Sequence, residues 1–176
     1  MSYSIMPDRI EAGTLLCAVA ITGGKVKLNK VIPEHINQIL NKLEQTGCEI
    51  KIENKCVCLK APKKIKAVDI KTMPYPGFPT DMQSVFASIL TIAKGNSVIV
   101  ENIFENRYKY VSELKRMGAK ITVEGRIAVI KGCKKLSGAT VESTDLRGGA
   151  ALVVAGLVAK GTTTVNKIGY ILRGHE

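Results

Sequence analysis

The chain repeats itself, and this limits what its 176 residues can fold into more than any other feature. Three segments share one pattern: a polar cluster, an apolar helical run, a glycine, then a short β-branched strand. They read PDRIEAGTLLCAVAITGGKVKL (7–28), PTDMQSVFASILTIAKGNSVIV (79–100) and TDLRGGAALVVAGLVAKGTTTV (144–165). Aligned on Gly24, Gly95 and Gly161, the copies lie 71 and 66 residues apart. After the first two, a second helical run ends in glycine, at Gly47 and Gly118, again 71 apart. No single unit of this kind can bury its apolar face alone, so the copies must pack on one another.

The hydrophobic period changes within each unit. Ile36, Ile39, Leu40 and Leu43 fall at i, i+3, i+4 and i+7, the stripe of an amphipathic helix. Gly47 and Gly118 suit helix ends that turn into left-handed backbone. Beyond each lies a pair of alternating runs, 49–52 with 56–60 and 120–123 with 127–131. The connections Glu53-Asn54 and Glu124-Gly125 make these β-hairpins. Opening strands are expected near residues 3–5, 67–71 and 140–142. The unit is strand, helix, strand, helix, strand, strand, which places the chain in the α/β class. Residues 1–176 then form one domain with repeats at about 1–65, 66–137 and 138–176. The third stops at Glu176, before its second helix and hairpin, so further chain is expected beyond it and before Met1.

Composition excludes other classes. The longest apolar run, 150–159, is one core helix long, well short of the roughly 18 residues that cross a bilayer. The start, MSYSIMPDR, lacks the basic and apolar stretches of a secretory signal and points to the cytosol. Five cysteines (Cys17, Cys48, Cys56, Cys58, Cys133) form no C-x-x-C pair, and His35 and His175 lie far apart. They read as reduced structural thiols, not as a disulfide framework or zinc site. The net charge is +11, with lysines gathered at Lys60, Lys63, Lys64, Lys66, Lys71 and at Lys131, Lys134, Lys135. Such clusters suit phosphate-rich partners. They flank Pro62 and Gly132, however, where solvated turns are expected, and 5% aromatic residues leave little surface for base stacking. A solvated lysine surface is preferred to a nucleic-acid face.

The repeat also shows where the copies differ. Fourteen residues before the aligned glycine stand Ile10, Asp81 and Arg147; twelve after it stand Ile36, Arg107 and Arg173. Around a pseudo-threefold axis, Asp81, Arg107, Arg147 and Arg173 would gather near helix N-termini. Arginine there opposes the helix dipole unless an anion is near, so such a group reads as an anion clamp. Each residue also has a plainer reading. Asp81 and Asp145 can be helix caps, the arginines solvated, and Phe104 with Ile103 core. On pattern alone both readings stand.

PDRIEAGT (7–14), FPTDMQ (78–83), ENIFENRYKYVSELKRMGA (101–119) and TDLRGGAALVVAGL (144–157) resemble the UDP-N-acetylglucosamine enolpyruvyl transferases, and the likeness spans nearly all 176 residues. FPTDMQ followed by FENRY separates the chain from the shikimate-pathway sister family. The resemblance implies an inside-out α/β barrel domain, three repeats around a pseudo-threefold axis, in a two-domain enzyme of which this chain matches the C-terminal half. It implies transfer of the enolpyruvyl group of phosphoenolpyruvate to the 3-hydroxyl of UDP-N-acetylglucosamine, with phosphate released, in the first committed step of peptidoglycan synthesis. No metal or organic cofactor is implied.

By the same resemblance, Asp81 contacts the sugar 3-hydroxyl, and Ile103 binds the sugar nucleotide through its backbone where the family often has Val. Phe104 packs nearby, Arg173 binds the carboxylate or phosphate of phosphoenolpyruvate, and Arg107 and Arg147 line the interdomain cleft. Gly148-Gly149 and His175 depart from the family pattern. The family's Lys-Asn pair, protonating loop Cys and further arginines belong to the N-terminal half, and no cysteine here matches that Cys. The chain alone is therefore expected to be inactive and to need that half as a partner. A non-catalytic sugar-nucleotide-binding module is the alternative, and a basic nucleic-acid-binding domain the less favoured one.

Overall fold

The computed structural model describes residues 5–173, so His175 and most of the strand expected near 3–5 lie outside it. In the first copy, Asp8 caps helix α1 (Arg9–Thr22), its Oδ1 accepting the N–H of Ile10 at 2.6 Å and of Glu11 at 3.2 Å. Strand β1 (Lys25–Asn29), helix α2 (Pro33–Gln45) and the hairpin β2 (Glu49–Glu53) and β3 (Cys56–Lys60) follow. The second copy holds β4 (Ile70–Lys71), a 3₁₀ turn (Thr80–Met82), α3 (Gln83–Leu90), β5 (Asn96–Val100), α4 (Val111–Arg116), β6 (Lys120–Glu124) and β7 (Ile127–Lys131). The third holds β8 (Thr140–Glu142), α5 (Leu146–Gly156), β9 (Thr164–Asn166) and a 3₁₀ turn (Ile168–Arg173).

The repeat is preserved in the hydrogen-bond register. In the first sheet, ordered β1-β3-β2, Lys60 of β3 faces Lys25 and Glu49; in the second, ordered β4-β5-β7-β6, Lys131 faces Asn96 and Lys120. Each partner lies 71 residues on. The parallel pairs agree too, with Ile70 opposite Ile99 in β4-β5 and Val141 opposite Val165 in β8-β9. Even the junctions match. Lys66 N–H donates to Thr46 and Ser137 N–H to Met117.

Two elements are shorter than their pattern. The strand expected at 67–71 pairs continuously only at Ile70–Lys71. The second helix of copy two begins at Val111, not at Tyr108, where the single hydroxyl proton of Tyr108 is shared between the carbonyls of Ile99 at 2.9 Å and Arg126 at 3.1 Å. Those bonds hold residue 108 against the sheet.

Helices α1, α3 and α5 pack on one another and the sheets lie outside them. All eight residues of α3 are buried, including the polar Gln83, Ser84 and Ser88. A helix apolar nearly all round belongs inside such a bundle. Ser84 Oγ donates to the carbonyl of Arg147 at 2.9 Å and Ser88 Oγ to that of Ala151 at 2.7 Å, so α3 and α5 run parallel, N-terminus beside N-terminus. In the strands, Val57, Leu59, Ala128 and Ile130 face the helices, whereas Ile127 and Val129 face out; Ile52 and Val123, opposite Val57 and Ala128, share the inner face but lie exposed on the edge strands β2 and β6.

Gly118 has φ 92°, and a Cβ there would meet no atom within 4 Å. The backbone conformation alone therefore demands glycine. Gly118→Ala is expected to lower the unfolding free energy by about 1 kcal/mol in urea denaturation, with the midpoint lowered and the slope unchanged.

Candidate functional site

Asp81 stands in the 3₁₀ turn that starts copy two's helix, where Pro79 holds extended backbone ahead of it. It caps nothing. Its Oδ1 lies 2.8 Å from Nη2 of Arg107, and its Oδ2 lies 3.6 Å from Nη2 of Arg147. Arg107 comes from the turns between β5 and α4, and Arg147 from the first turn of α5. Three segments remote in sequence thus meet at the N-terminal end of the helix bundle.

An arginine in the first turn of a helix opposes the dipole. Asp145 offsets this as the N-cap of α5, its Oδ1 accepting the N–H of Arg147 at 3.0 Å and of Gly148 at 2.8 Å. Its reading as a cap agrees with this geometry. Two guanidinium groups share the Asp81 carboxylate, leaving a net positive charge. Nε of Arg107 and both Nε and Nη1 of Arg147 are buried without a partner among the described residues. Buried N–H groups of this kind favour an anion with several acceptor oxygens. The Asp81 side chain keeps 40% of its surface exposed, so the group forms an open wall and not a closed pocket.

Phe104 is half exposed, against its default reading as core, and its ring lies 5.3 Å from the guanidinium carbon of Arg107. Ile103 is partly buried beside it. Arg173 ends the last 3₁₀ turn, exposed, with no ion pair or hydrogen bond to Asp81, Arg107 or Arg147 among the described residues. The structure therefore brings Asp81, Arg107, Arg147 and Phe104 together, with Ile103 adjacent, whereas Arg173 makes no bond to Asp81 among the described residues. Arg107 is fixed because Tyr108 ties the chain to the sheet; position 173 has no such tie among the described residues.

Several buried polar groups escaped the sequence reading. Gln83 is fully buried, and neither its side-chain polar atoms nor the buried Tyr110 hydroxyl has a partner among the described residues. The signal for Gln83 existed, since its counterparts in the other copies are Ala12 and Gly149. Burial pushes Tyr108 up to about 12 and holds Tyr110 well above the ordinary phenol value, so both remain neutral hydroxyls. Burial likewise raises the thiols of Cys17 and Cys48, which disfavours the reactive thiolate. A concavity of about 650 Å³ opens at the other end of the helices, lined by Thr22, Lys63, Lys64, Lys94 and Lys134. It shares no residue with the Asp81 cluster.

Comparison with known proteins agrees with this architecture. The family model for EPSP synthase (3-phosphoshikimate 1-carboxyvinyltransferase) matches residues 1–176. A UDP-N-acetylglucosamine 1-carboxyvinyltransferase of Trichlorobacter lovleyi is 56% identical over 99% of this chain, which spans 42% of that protein. One of Desulfofundulus thermocisternus is 54% identical over 99% of the chain and 72% of that protein. The crystal structure of the enolpyruvyl transferase NikO from Streptomyces tendae superposes with a TM-score of 0.83 at 23% identity, over 98% of this chain and 41% of that one. The fold is of the enolpyruvyl transferase type.

A buried hydroxyl without a partner is a net cost of about 1–3 kcal/mol. Tyr110→Phe removes only that atom, so the variant is expected to be about 1 kcal/mol more stable than the parent chain in urea denaturation. A loss of stability would mean that the hydroxyl is bonded in solution.

Proposed function

The chain belongs to the EPSP synthase family of carboxyvinyltransferases, and from that premise we propose that it supplies one wall of a cleft in which UDP-N-acetylglucosamine accepts the enolpyruvyl group of phosphoenolpyruvate. The observation that carries this reading is the half-exposed Asp81 carboxylate held between Arg107 and Arg147, of which Arg107 Nε and Arg147 Nε and Nη1 are buried without a partner among the described residues. A carboxylate within hydrogen-bond reach of the sugar 3-hydroxyl takes its proton as the oxygen bonds to C2 of phosphoenolpyruvate. C3 gains a proton in the same addition. Elimination then removes a proton from C3 as the bond from C2 to the phosphate oxygen breaks, leaving an enol ether and inorganic phosphate. Arg107 and Arg147 meet the charge of the carboxylate and phosphate through both steps.

The other assignments follow the family. Ile103 binds the sugar nucleotide through its backbone, Phe104 packs beside it, and Arg173 meets phosphoenolpyruvate once the cleft is complete. By likeness to the family, the proton for C3 comes from a loop cysteine of the N-terminal half; of this chain's own thiols, those of Cys17 and Cys48 are buried. The partner is the family's N-terminal half, and the setting is cytosolic peptidoglycan synthesis. The open, one-sided site also suits a second reading, a module that binds the sugar nucleotide without chemistry.

Phosphate release from phosphoenolpyruvate with UDP-N-acetylglucosamine separates the two. The chain alone is expected to release none, and to do so on mixing with the family's N-terminal half. Asp81→Ala is expected to cut that rate at least about 100-fold, the usual contribution of a positioned acid or base. Silence on mixing two folded halves, with the sugar nucleotide still bound, would leave the binding module.

A further inference from the structure

Glu101 follows directly on β5 and has no exposed surface, the one charged side chain so fully buried among the described residues. No cation lies within ion-pair distance of it among those residues. Its charge is met instead by four hydrogen-bond donors. Oε1 accepts the hydroxyl of Thr72 at 2.8 Å and the N–H groups of Ile103 at 2.8 Å and Phe104 at 3.2 Å. Oε2 accepts the hydroxyl of Thr80 at 3.0 Å. Thr80 immediately precedes Asp81. Thr72 in turn receives the N–H of Asn102 at 2.9 Å and, on its carbonyl, the side-chain amide of Asn102 at 3.1 Å. One carboxylate therefore ties the segment that carries Asp81 to the segment that carries Ile103, Phe104 and Arg107.

We infer that Glu101 is a positioning and specificity-determining residue, which holds these two segments in register and makes the backbone at Ile103 an acceptor-only surface. This rests on the reading of the site as a sugar-nucleotide cleft. Two successive free N–H groups attract anions. Here both are consumed by an internal carboxylate, so Ile103 can offer a ligand only its carbonyl oxygen. A hydroxyl or amide N–H fits there, whereas a phosphate or carboxylate is repelled by the buried charge behind it. Anionic groups are left to Arg107 and Arg147, and the two ends of a substrate are sorted by chemistry.

The test uses Glu101→Gln in the whole chain, which keeps the shape but removes the charge. Amide hydrogen exchange followed by NMR is expected to quicken about tenfold at Ile103 and Phe104, with Ile121 and Ile130 in β6 and β7 unchanged. Titration with UDP-N-acetylglucosamine is expected to show an affinity about tenfold weaker than the parent's. Unchanged exchange at 103 and 104, or an equal loss of protection across β6 and β7, would overturn the inference. Should Glu101→Gln not fold, Thr80→Val cuts only the tie to Asp81. It is expected to weaken sugar-nucleotide binding about fivefold at parental stability, and unaltered binding would count against the proposal. A parent chain without affinity for UDP-N-acetylglucosamine would sink the cleft reading, while the exchange data would still decide the positioning role.

Discussion

The mutual burial of α1, α3 and α5 is the constraint on which the rest depends. Each first helix is apolar on more than one side, and α3 is apolar or small almost all round, so none is satisfied by a sheet alone. Packing the three together puts helices inside and sheets outside. Because α3 and α5 run parallel, tied by Ser84 and Ser88, their N-terminal turns arrive at the same end. The positive ends of the helix dipoles concentrate there, which favours negative charge at that end before any side chain is considered.

Arg107 and Arg147 add charge where the backbone already favours anions, which would be unfavourable without compensation. Asp145 supplies part of it by capping α5, and Asp81 the rest by bridging both guanidinium groups. The compensation is incomplete: three guanidinium nitrogens stay buried and unpaired among the described residues. Such groups are costly in the free protein and become favourable only with a ligand in place. Stability is given up locally at these unpaired groups, and the bundle beneath, with Phe86 and Met82 fully buried, carries that cost.

Much of the fold was legible in the sequence because repeats and hydrophobic period are local signals. The spacing of 71 residues reappears in the strand register itself, from the Lys60 pairs to the Lys131 pairs. Boundaries were less legible. Tyr108 matches a helix by pattern but spends its hydroxyl on the sheet, which is a tertiary bond. Phe104 reads as core by type and lies against a guanidinium at the surface. Glu101 gave no sign of its role, since a glutamate after a strand is ordinarily solvated.

By itself the sequence determined the repeating unit, the order of its elements and the positions at which the copies differ. These are consequences of backbone conformation and local burial, and they need no knowledge of distant partners. Only the tertiary structure decided that Asp81 meets Arg107 and Arg147, and that Glu101 is buried beneath Thr80, Ile103 and Phe104. Those outcomes depend on which charges become neighbours once water is excluded, and Coulomb and hydrogen-bond energies act over a few ångströms in space, whatever the separation along the chain.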